Sequence, residues 1–207
     1  MNILLIGPPG VGKGTQGKLL ATKGFFHFST GDLFREIQQY NTRLGRLVLS
    51  YMTTIHFIPD EISLEVVEEK LSTIKQDNIT FDGFPRSVSQ AEALDVMLSK
   101  TNSKVDLVFA FSLSLEEILK RARGRRLDPE TGKIYHLETN PPPPEVTHLV
   151  QRRDDQDEIV SKRVADYHEK TVPVIQFYQE RNIVHFIDAS KSPEEIFTEI
   201  LKHIHSL

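Results

Sequence analysis

The sequence predicts an α/β fold with a parallel sheet, and two observations support that prediction. Short apolar runs rich in Ile, Val and Phe alternate along the chain with longer stretches of helical periodicity. A glycine-rich turn also joins the first apolar run directly to the first helical stretch. Since parallel strands are covered on both faces, their residues are apolar in succession rather than in alternation, and these runs have that pattern.

Five runs are predicted as strands, and the second of them is the weakest candidate. They are Asn2–Ile6, Phe25–Phe28, Ile79–Asp82, Val105–Phe111 and Ile183–Ile187. Each is only a few residues long, which favours strands over helices.

Helices are predicted between these strands. Lys13–Ala21 follows the first strand, and Asp60–Ser72 has apolar residues at helical spacing. The stretch Ile159–Tyr178 is long, and we expect Pro173 to kink or break it, because proline lacks an N–H and clashes with the preceding turn. A Ser-Pro-Glu-Glu sequence beginning at Ser192 is a capping box for the last helix.

Length and composition exclude several classes of protein. The chain has 207 residues, which suits one domain with or without insertions. Its formal net charge of -4 argues against a general nucleic-acid binder, which needs a basic surplus. The absence of cysteine excludes disulfides, thiolate zinc sites and cysteine nucleophiles.

No segment has the pattern of a targeting signal or a membrane anchor. The apolar run Ile3–Ile6 is stopped by Gly7-Pro8-Pro9, so it is too short for the core of a signal peptide. No apolar stretch approaches the roughly 20 residues of a membrane helix. We therefore expect a cytoplasmic protein with no membrane partner.

One region interrupts the alternation of strand and helix. Gly124–Asp157 has no long apolar periodicity, and it contains several arginines and the run Pro141–Pro144. Its composition also suits a disordered linker. Long loops in compact domains are often lids over ligands, however, and Tyr135 gives this one an aromatic side chain to pack with.

The glycine-rich turn Gly7–Lys13 fits the pattern G-x-x-x-x-G-K between a strand and a helix. Glycines let backbone N–H groups surround phosphate oxygens, and Lys13 is positioned to reach the β- and γ-phosphates. The general pattern continues with Ser or Thr, whereas here Gly14 precedes Thr15. A simple surface turn is the alternative, but the flanking strand and helix favour a nucleoside triphosphate site.

A second constellation begins where the third predicted strand ends. Asp82 is followed by Gly83-Phe84-Pro85-Arg86. A carboxylate at the end of a strand beside a phosphate loop can hold hydrated Mg²⁺, and an arginine can grip a second phosphate group through two hydrogen bonds. A capping aspartate in a turn is the alternative, and Arg86 makes that alternative weaker.

Further arginines are numerous in the sequence. They are Arg35, Arg121, Arg123, Arg125, Arg126, Arg152, Arg153 and Arg163. Any one of these arginines alone is typical of a solvated surface charge. As a set beside a phosphate loop, they indicate phosphoryl transfer between two nucleotides. The transition state of that reaction spreads negative charge over equatorial oxygens, so positioned cations are its main chemical requirement. A phosphate acceptor is already ionised, and no general base is needed.

The chain resembles the adenylate kinases, a family of nucleoside monophosphate kinases, in five ordered motifs that cover nearly its whole length. They are Gly7–Gln16, Ser29–Arg35, Phe81–Arg86 with Gln90, Gly124–Arg126 with Gly132–His136, and Arg152–Asp155 with Arg163. The resemblance implies a P-loop kinase fold in one domain over residues 1–207, with a five-stranded parallel sheet flanked by helices. It also implies two insertions, a segment at 30–59 that binds the monophosphate and a lid at 124–157.

The resemblance further implies reversible phosphoryl transfer from MgATP to AMP, giving two ADP, by a monomer that needs Mg²⁺. ATP would be held by Gly10, Val11, Gly12, Lys13, Gly14, Thr15, Arg121 and Arg125. AMP would be held by Thr30, Arg35, Ile58, Gly83, Arg86, Gln90, Arg152 and Arg163. The catalytic residues would be Lys13, Arg86, Arg125, Arg152 and Arg163. Gln90 would read the adenine edge, Asp82 would orient hydrated Mg²⁺, and Asp154 and Asp155 would couple lid to core.

Two departures from the family pattern bear on these expectations. Many lids in the family bind zinc through four cysteines; this chain has none, so we expect no zinc and a hydrogen-bonded replacement that includes Asp128 and Thr131. The family usually has glycine where this chain has Ile55, and a β-branched residue tolerates positive φ poorly. We therefore expect the backbone of the AMP pocket to differ locally.

Other functions fit the sequence less well. A pyrimidine monophosphate acceptor is the nearest alternative, although the long lid favours AMP, and GTP remains open as the donor. A switch of the small GTPase kind is disfavoured because no Asn-Lys-x-Asp sequence occurs in the chain. A catalytically silent adenylate-binding module is disfavoured by the intact Lys13 and the full arginine set.

Overall fold

A computed structural model describes residues 1–52 and 58–206. The strands are β1 (Asn2–Ile6), β2 (Phe26–Ser29), β3 (Ile79–Asp82), β4 (Leu107–Ser112), β5 (Arg125–Leu127), β6 (Ile134–His136) and β7 (Val184–Asp188). The first four of these and β7 form one parallel sheet in the order β2-β3-β1-β4-β7, while β5 and β6 form a separate antiparallel pair. The predicted α/β fold with a five-stranded parallel sheet is therefore confirmed.

The helices connect the strands along the chain. They are α1 (Lys13–Ala21), α2 (Thr30–Ile37), α3 (Arg43–Met52), α4 (Asp60–Thr73), α5 (Val88–Ser99), α6 (Leu115–Gly124), α7 (Asp157–Asp166), α8 (Val172–Gln179) and α9 (Pro193–His205). The capping box predicted at Ser192 is complete. The Ser192 hydroxyl accepts from the backbone N–H of Glu195, and the Glu195 carboxylate accepts from the backbone N–H of Ser192. Ser29 caps α2 in the same position, accepting from the backbone N–H of Asp32 at 3.3 Å.

The sheet has an apolar core on each face, which explains the continuous apolar strands. In β1, Leu4 and Ile6 belong to one core while Ile3 and Leu5 belong to the other. All four are buried, since successive side chains of a strand point to opposite faces of the sheet. β1 lies at the centre of the sheet, with Leu4 paired to Phe81 of β3 on one side and to Val108 of β4 on the other.

The carboxyl ends of the parallel strands form one edge of the sheet, and this edge positions the site. The loop after β1 contains the glycine-rich turn, and β3 ends at Asp82. Ligands of open α/β sheets bind beyond the carboxyl ends of the strands, so this edge is where a nucleotide is expected.

The predicted long helix at 159–178 changes its winding near Pro173 instead of breaking. It begins as α7, continues through five residues of π-helix at Tyr167–Thr171, and ends as α8, in which Pro173 is the second residue. Proline cannot donate the next helical hydrogen bond and crowds the preceding turn. The wider π turn accommodates it, as π turns do within α-helices.

Candidate active site

The glycine-rich turn links β1 to α1 with two glycines in the left-handed region. Gly10 has φ 76° and Gly12 has φ 103°, conformations that side chains with a Cβ rarely adopt. The carbonyl of Gly12 accepts from the N–H of Thr15 at 3.0 Å and of Gln16 at 3.2 Å, which begins α1. Val11 is buried in the core below the turn, whereas Thr15 is exposed. The turn therefore ends at a helix N-terminus, the usual site for an anion.

Lys13 lies against this turn with its ammonium group hydrogen-bonded to the backbone. Its Nζ donates to the carbonyls of Gly7 at 2.7 Å and Pro8 at 2.8 Å. Burial and the positive charges of Arg86 and Arg163 together lower the pKa of Lys13 to about 8, against the opposing effect of Asp82. Lys13 is thus a cation placed among other cations, an arrangement that a bound polyphosphate would relieve.

A cleft opens beside Lys13 and brings together residues from four parts of the chain. Besides the turn, it is lined by Gly83, Arg86, Arg163 and Tyr167. Three of the five residues predicted to be catalytic, Lys13, Arg86 and Arg163, therefore line one cleft at the carboxyl edge of the sheet.

Arg86 is held at this cleft by its backbone and by its side chain. Its Nε donates to the carbonyl of Gly83 at 2.7 Å, and its own carbonyl accepts from the Thr171 hydroxyl at 2.9 Å. Gly83 adopts φ 81°, and a Cβ there would lie 2.8 Å from the Thr30 hydroxyl, so glycine is required. Burial lowers the pKa of Arg86 to about 10, with Arg163 acting in the same direction.

Asp82, at the end of β3, faces the glycine-rich turn. A Cβ added to Gly14 would lie 3.4 Å from its Oδ2, which places this carboxylate beside the start of α1. The same Oδ2 is 3.5 Å from Nε2 of His27, and the Asp82 carbonyl accepts from the Thr30 hydroxyl at 3.3 Å. A carboxylate oxygen beside the phosphate loop is the ligand type that Mg²⁺ prefers, so Asp82 fits the predicted role.

Two arginines are ion-paired with the two aspartates near the end of the predicted lid: Arg125 at its start and Arg163 in α7. Arg125 donates to both carboxylate oxygens of Asp155, which is fully buried, and Arg163 donates to Asp154 at 2.9 Å. Burial tends to raise the pKa of Asp154, but the surrounding arginines, led by Arg163, hold it below its ordinary value. Asp154 and Asp155 are therefore each ion-paired with an arginine that lies outside the Arg152–Asp155 motif.

Arg152 differs from these arginines in having an unsatisfied nitrogen. Its buried Nε has no hydrogen-bond partner among residues 1–52 and 58–206. Burial lowers its pKa, and the nearby charges of Arg35 and Arg125 lower it further. A buried donor surrounded by positive charge is suited to an anionic ligand.

Two further predicted arginines are held by the protein at other points. Arg121, in the last turn of α6, donates to the carbonyl of Ala189 at 2.7 Å. Arg35 donates to Asp32 at 2.5 Å within α2. Neither belongs to the residues that line the cleft described above.

Gln90 is buried in the first turn of α5, and both ends of its amide are hydrogen-bonded. Its Nε2 donates to Oδ1 of Asp60 at 2.7 Å, and its Oε1 accepts from the N–H of Arg86 at 2.7 Å. Ile58, which is also predicted to bind AMP, is half-buried and packs against the larger core. Ile55, for which we expect a local difference in the backbone, lies outside the described residues.

The segment predicted to be a lid contains the β5–β6 pair and a turn held by Asp128. The buried Asp128 carboxylate accepts from the hydroxyl of Thr131 and, at 2.9 Å, from the N–H of Glu130. Nδ1 of His136 accepts from two further backbone N–H groups, those of Glu138 and Thr139, at 3.2 Å each. The predicted pair Asp128 and Thr131 is thus confirmed as a hydrogen-bonded unit. Within the described ranges no three His, Asp or Glu side chains lie together as a metal site.

Sequence reasoning missed four residues of this site. Tyr167 and Thr171 line the cleft from the π turn, and His27 lies beside Asp82. Asp60 binds Gln90 from the start of α4. The only sequence signal for Asp60 is an acidic residue at the start of a predicted helix, directly after Pro59, and that pattern is equally typical of simple helix capping.

The part of the chain that the structure describes has no helix long and apolar enough to cross a membrane.

Comparison with known proteins agrees with the geometry. A family model described as adenylate kinase matches residues 5–183. The chain is 38% identical to an adenylate kinase of Chloroherpeton thalassium and 41% identical to one of Clostridium tetani, over 97% of this chain and 96% of each relative. It is 40% identical to an adenylate kinase of Fusobacterium nucleatum over 98% of this chain and 97% of that protein. The phosphate loop, the arginine cleft and these matches together show that the chain belongs to the adenylate kinase family.

Proposed function

We propose that the chain catalyses reversible transfer of the terminal phosphoryl group of MgATP to AMP, giving two ADP. The observation that supports this most directly is the convergence of Lys13, Arg86 and Arg163 on one cleft at the phosphate loop. Three cations at the end of a phosphate loop are suited to hold two anionic groups close together, and that is the main requirement of phosphoryl transfer. The names of the relatives point to the same acceptor, adenylate.

The donor would lie on the turn side of the cleft. Backbone N–H groups from Gly10 to Thr15 would surround its phosphates, and Lys13 would exchange its two backbone carbonyl partners for phosphate oxygens. Arg121 and Arg125 would hold the donor from α6 and the start of the lid.

The acceptor would lie on the side of β3 and α5. Arg86 and Arg35 would grip the phosphate of AMP, and Gln90 would read the edge of the base. Thr30, Ile58 and Gly83 would form the surrounding walls, and Gly83 leaves space because any Cβ there would meet Thr30 and Arg86. Arg152 and Arg163 would reach the same phosphate from the lid end of the cleft.

Catalysis would depend mainly on neutralising the negative charge of the phosphoryl group during its transfer. Arg125, Arg152, Arg163, Arg86 and Lys13 would stabilise charge that spreads over the equatorial oxygens of the group in transit. Closure of the lid would exclude water, which otherwise would accept the phosphoryl group. Asp82 would hold hydrated Mg²⁺, which when bound neutralises phosphate charge and orients the donor.

A panel of donors and acceptors tests the proposal. Purified protein with ATP, Mg²⁺ and each nucleoside monophosphate should form ADP rapidly with AMP and slowly with UMP or CMP. GTP in place of ATP decides the donor base, and chelation of Mg²⁺ should abolish turnover. Folded protein with no turnover on any monophosphate would contradict the proposal.

We further propose a cytoplasmic monomer whose partners are ATP, AMP and ADP, without nucleic acid or membrane. The net charge of -4 supports the absence of a nucleic-acid partner. Light scattering should give a mass near the chain mass of 23.7 kDa.

A further inference from the structure

Asp60 binds three side chains of the segment that follows Arg86. Its Oδ2 accepts from the hydroxyls of Ser87 and Ser89 at 2.6 Å each, and its Oδ1 accepts from Nε2 of Gln90 at 2.7 Å. Burial raises the pKa of Asp60, but these hydrogen bonds outweigh that effect and keep it below its ordinary value. Asp60 therefore acts only as an acceptor at neutral pH.

The orientation of the Gln90 amide follows from this contact. A carboxylate can only accept hydrogen bonds, and a backbone N–H can only donate them. Asp60 must therefore face the NH₂ group of Gln90, and the N–H of Arg86, 2.7 Å away, must face its oxygen. A reversed amide would set oxygen against carboxylate and NH₂ against N–H, so two unfavourable contacts oppose reversal.

An amide fixed in this way distinguishes two kinds of purine. After these contacts Gln90 retains one N–H and one oxygen lone pair. Adenine offers an acceptor at N1 and a donor at its 6-amino group, which complement that N–H and lone pair. Hypoxanthine and guanine offer a donor at N1 and an acceptor at O6, and they require the amide to be reversed.

We propose that Asp60 is a positioning residue that, by orienting Gln90, makes the acceptor subsite select 6-amino over 6-oxo purine monophosphates. The inference rests on the proposed function, in which Gln90 reads the base. It deepens that function by assigning base selectivity to a residue that need not touch the nucleotide.

The test compares AMP with IMP as acceptors. In Asp60→Asn, residue 60 can donate as well as accept, so one of the two contacts that oppose reversal is lost. We expect the AMP/IMP ratio of kcat/KM to fall about tenfold, mainly through KM for AMP, with KM for ATP unchanged. Asp60→Ser, whose side chain is shorter than that of aspartate, should shift the ratio in the same direction and serves if the asparagine variant folds poorly.

Ser89→Ala is the matched control. It removes one donor to Asp60 but leaves the bond to Gln90, so the AMP/IMP ratio should stay at the wild-type value. A purely structural role of Asp60 would lower turnover of both acceptors together and leave the ratio unchanged in all three variants.

A double-mutant cycle with Gln90→Ala identifies the route of the effect. If Asp60 acts through Gln90, Asp60→Asn should leave the ratio unchanged in the alanine background; an equal shift in both backgrounds would overturn the inference. Wild-type protein that prefers AMP, with Asp60→Asn that keeps the full preference, would overturn the inference alone. Wild-type protein that uses AMP and IMP equally would overturn the reading of the base by Gln90 as well.

Discussion

Arg125 donates to both oxygens of the Asp155 carboxylate, and no part of that carboxylate side chain is exposed to solvent. Arg125 begins the β5 strand, and Asp155 lies in a short 3₁₀ turn just before α7. The pair therefore joins the two ends of the predicted lid at its base. A buried ion pair is costly to break from one side, because the remaining charge is left without compensation.

Arg125→Ala should consequently lose both turnover and stability. Turnover should fall by a factor of about 10³ if Arg125 stabilises the transferring group. The free energy of unfolding should fall by about 3–5 kcal/mol, because Asp155 becomes an unpaired buried carboxylate. Single-turnover kinetics and urea denaturation measure the two losses separately.

The double variant Arg125→Ala with Asp155→Asn separates the roles. It removes the stranded charge, so stability should recover in large part while turnover stays low. Recovery of both properties would mean that Arg125 acts only by holding the lid.

Lys13→Met should change both turnover and the pH dependence of stability. Turnover should fall by about 10³, since Lys13 is the cation of the phosphate loop. The pKa of Lys13 is about 8 in the folded chain, below its ordinary value of 10.5. Between these two values the unfolded chain binds the proton that the folded chain has lost, so Lys13 contributes a rise in stability with pH.

The measurement is the difference in unfolding free energy between wild type and Lys13→Met, without nucleotide, from pH 7 to 10.5. Below pH 8 the charged, buried lysine disfavours the wild type. From pH 8 to 10.5 the balance should move towards the wild type by about 3 kcal/mol. A difference independent of pH would show that the ammonium group titrates normally in the folded protein.

Arg86→Ala should weaken use of AMP far more than binding of ATP. Arg86 lies on the β3–α5 side of the cleft, where the acceptor phosphate is proposed to bind. We expect kcat/KM for AMP to fall by at least about a hundredfold, while the affinity for ATP changes less than about threefold. Arg123→Ala is the matched control, because Arg123 is an exposed arginine paired with Asp157. Equal losses for both nucleotides would contradict the assignment of Arg86 to the acceptor.

Asp128→Ala should loosen the lid without unfolding the core. The carboxylate holds a turn through Thr131 and the backbone of Glu130, and alanine offers no acceptor to either. KM for ATP should rise about three- to tenfold, and hydrogen exchange should accelerate at residues 128–136 but not in β1 or β4. Unchanged exchange in the turn would show that other contacts hold it.

The parallel sheet could be predicted from sequence because strands buried on both faces are short, continuous apolar runs, and such runs are visible locally in the sequence. β1 and β3 have the bounds that their apolar runs predict, and the other three strands are shifted by one or two residues at their ends. The helices between residues 30 and 52 were not predicted, although Ser29 caps the first of them. The π turn before Pro173 was also missed, because its cause, a proline within a helix, is equally compatible with a kink or a break.

The residues of the site also fall into two groups, those that a local sequence motif indicates and those that only the folded structure brings together. Lys13, Asp82 and Arg86 lie in short motifs whose residue order is typical of phosphate chemistry, so the sequence alone indicates them as candidates. The pairing of Gln90 with Asp60, 30 positions away in the chain, arises only when α4 and α5 are brought together. Contacts made by packing of distant segments leave no local pattern, and for that reason Asp60 was visible only in the structure.

Arg86 is bound by its neighbours on three sides, through its N–H to Gln90, its carbonyl to Thr171 and its Nε to Gly83. The two backbone contacts fix the position of the residue, and the Nε bond restricts its side chain, so part of its rotational freedom is lost when the chain folds and not when a nucleotide arrives. A ligand that meets such a preorganised cation loses less entropy on binding than one that must order a free side chain. In the proposed acceptor subsite, Arg86 would therefore give AMP an entropic advantage that folding of the chain has already supplied.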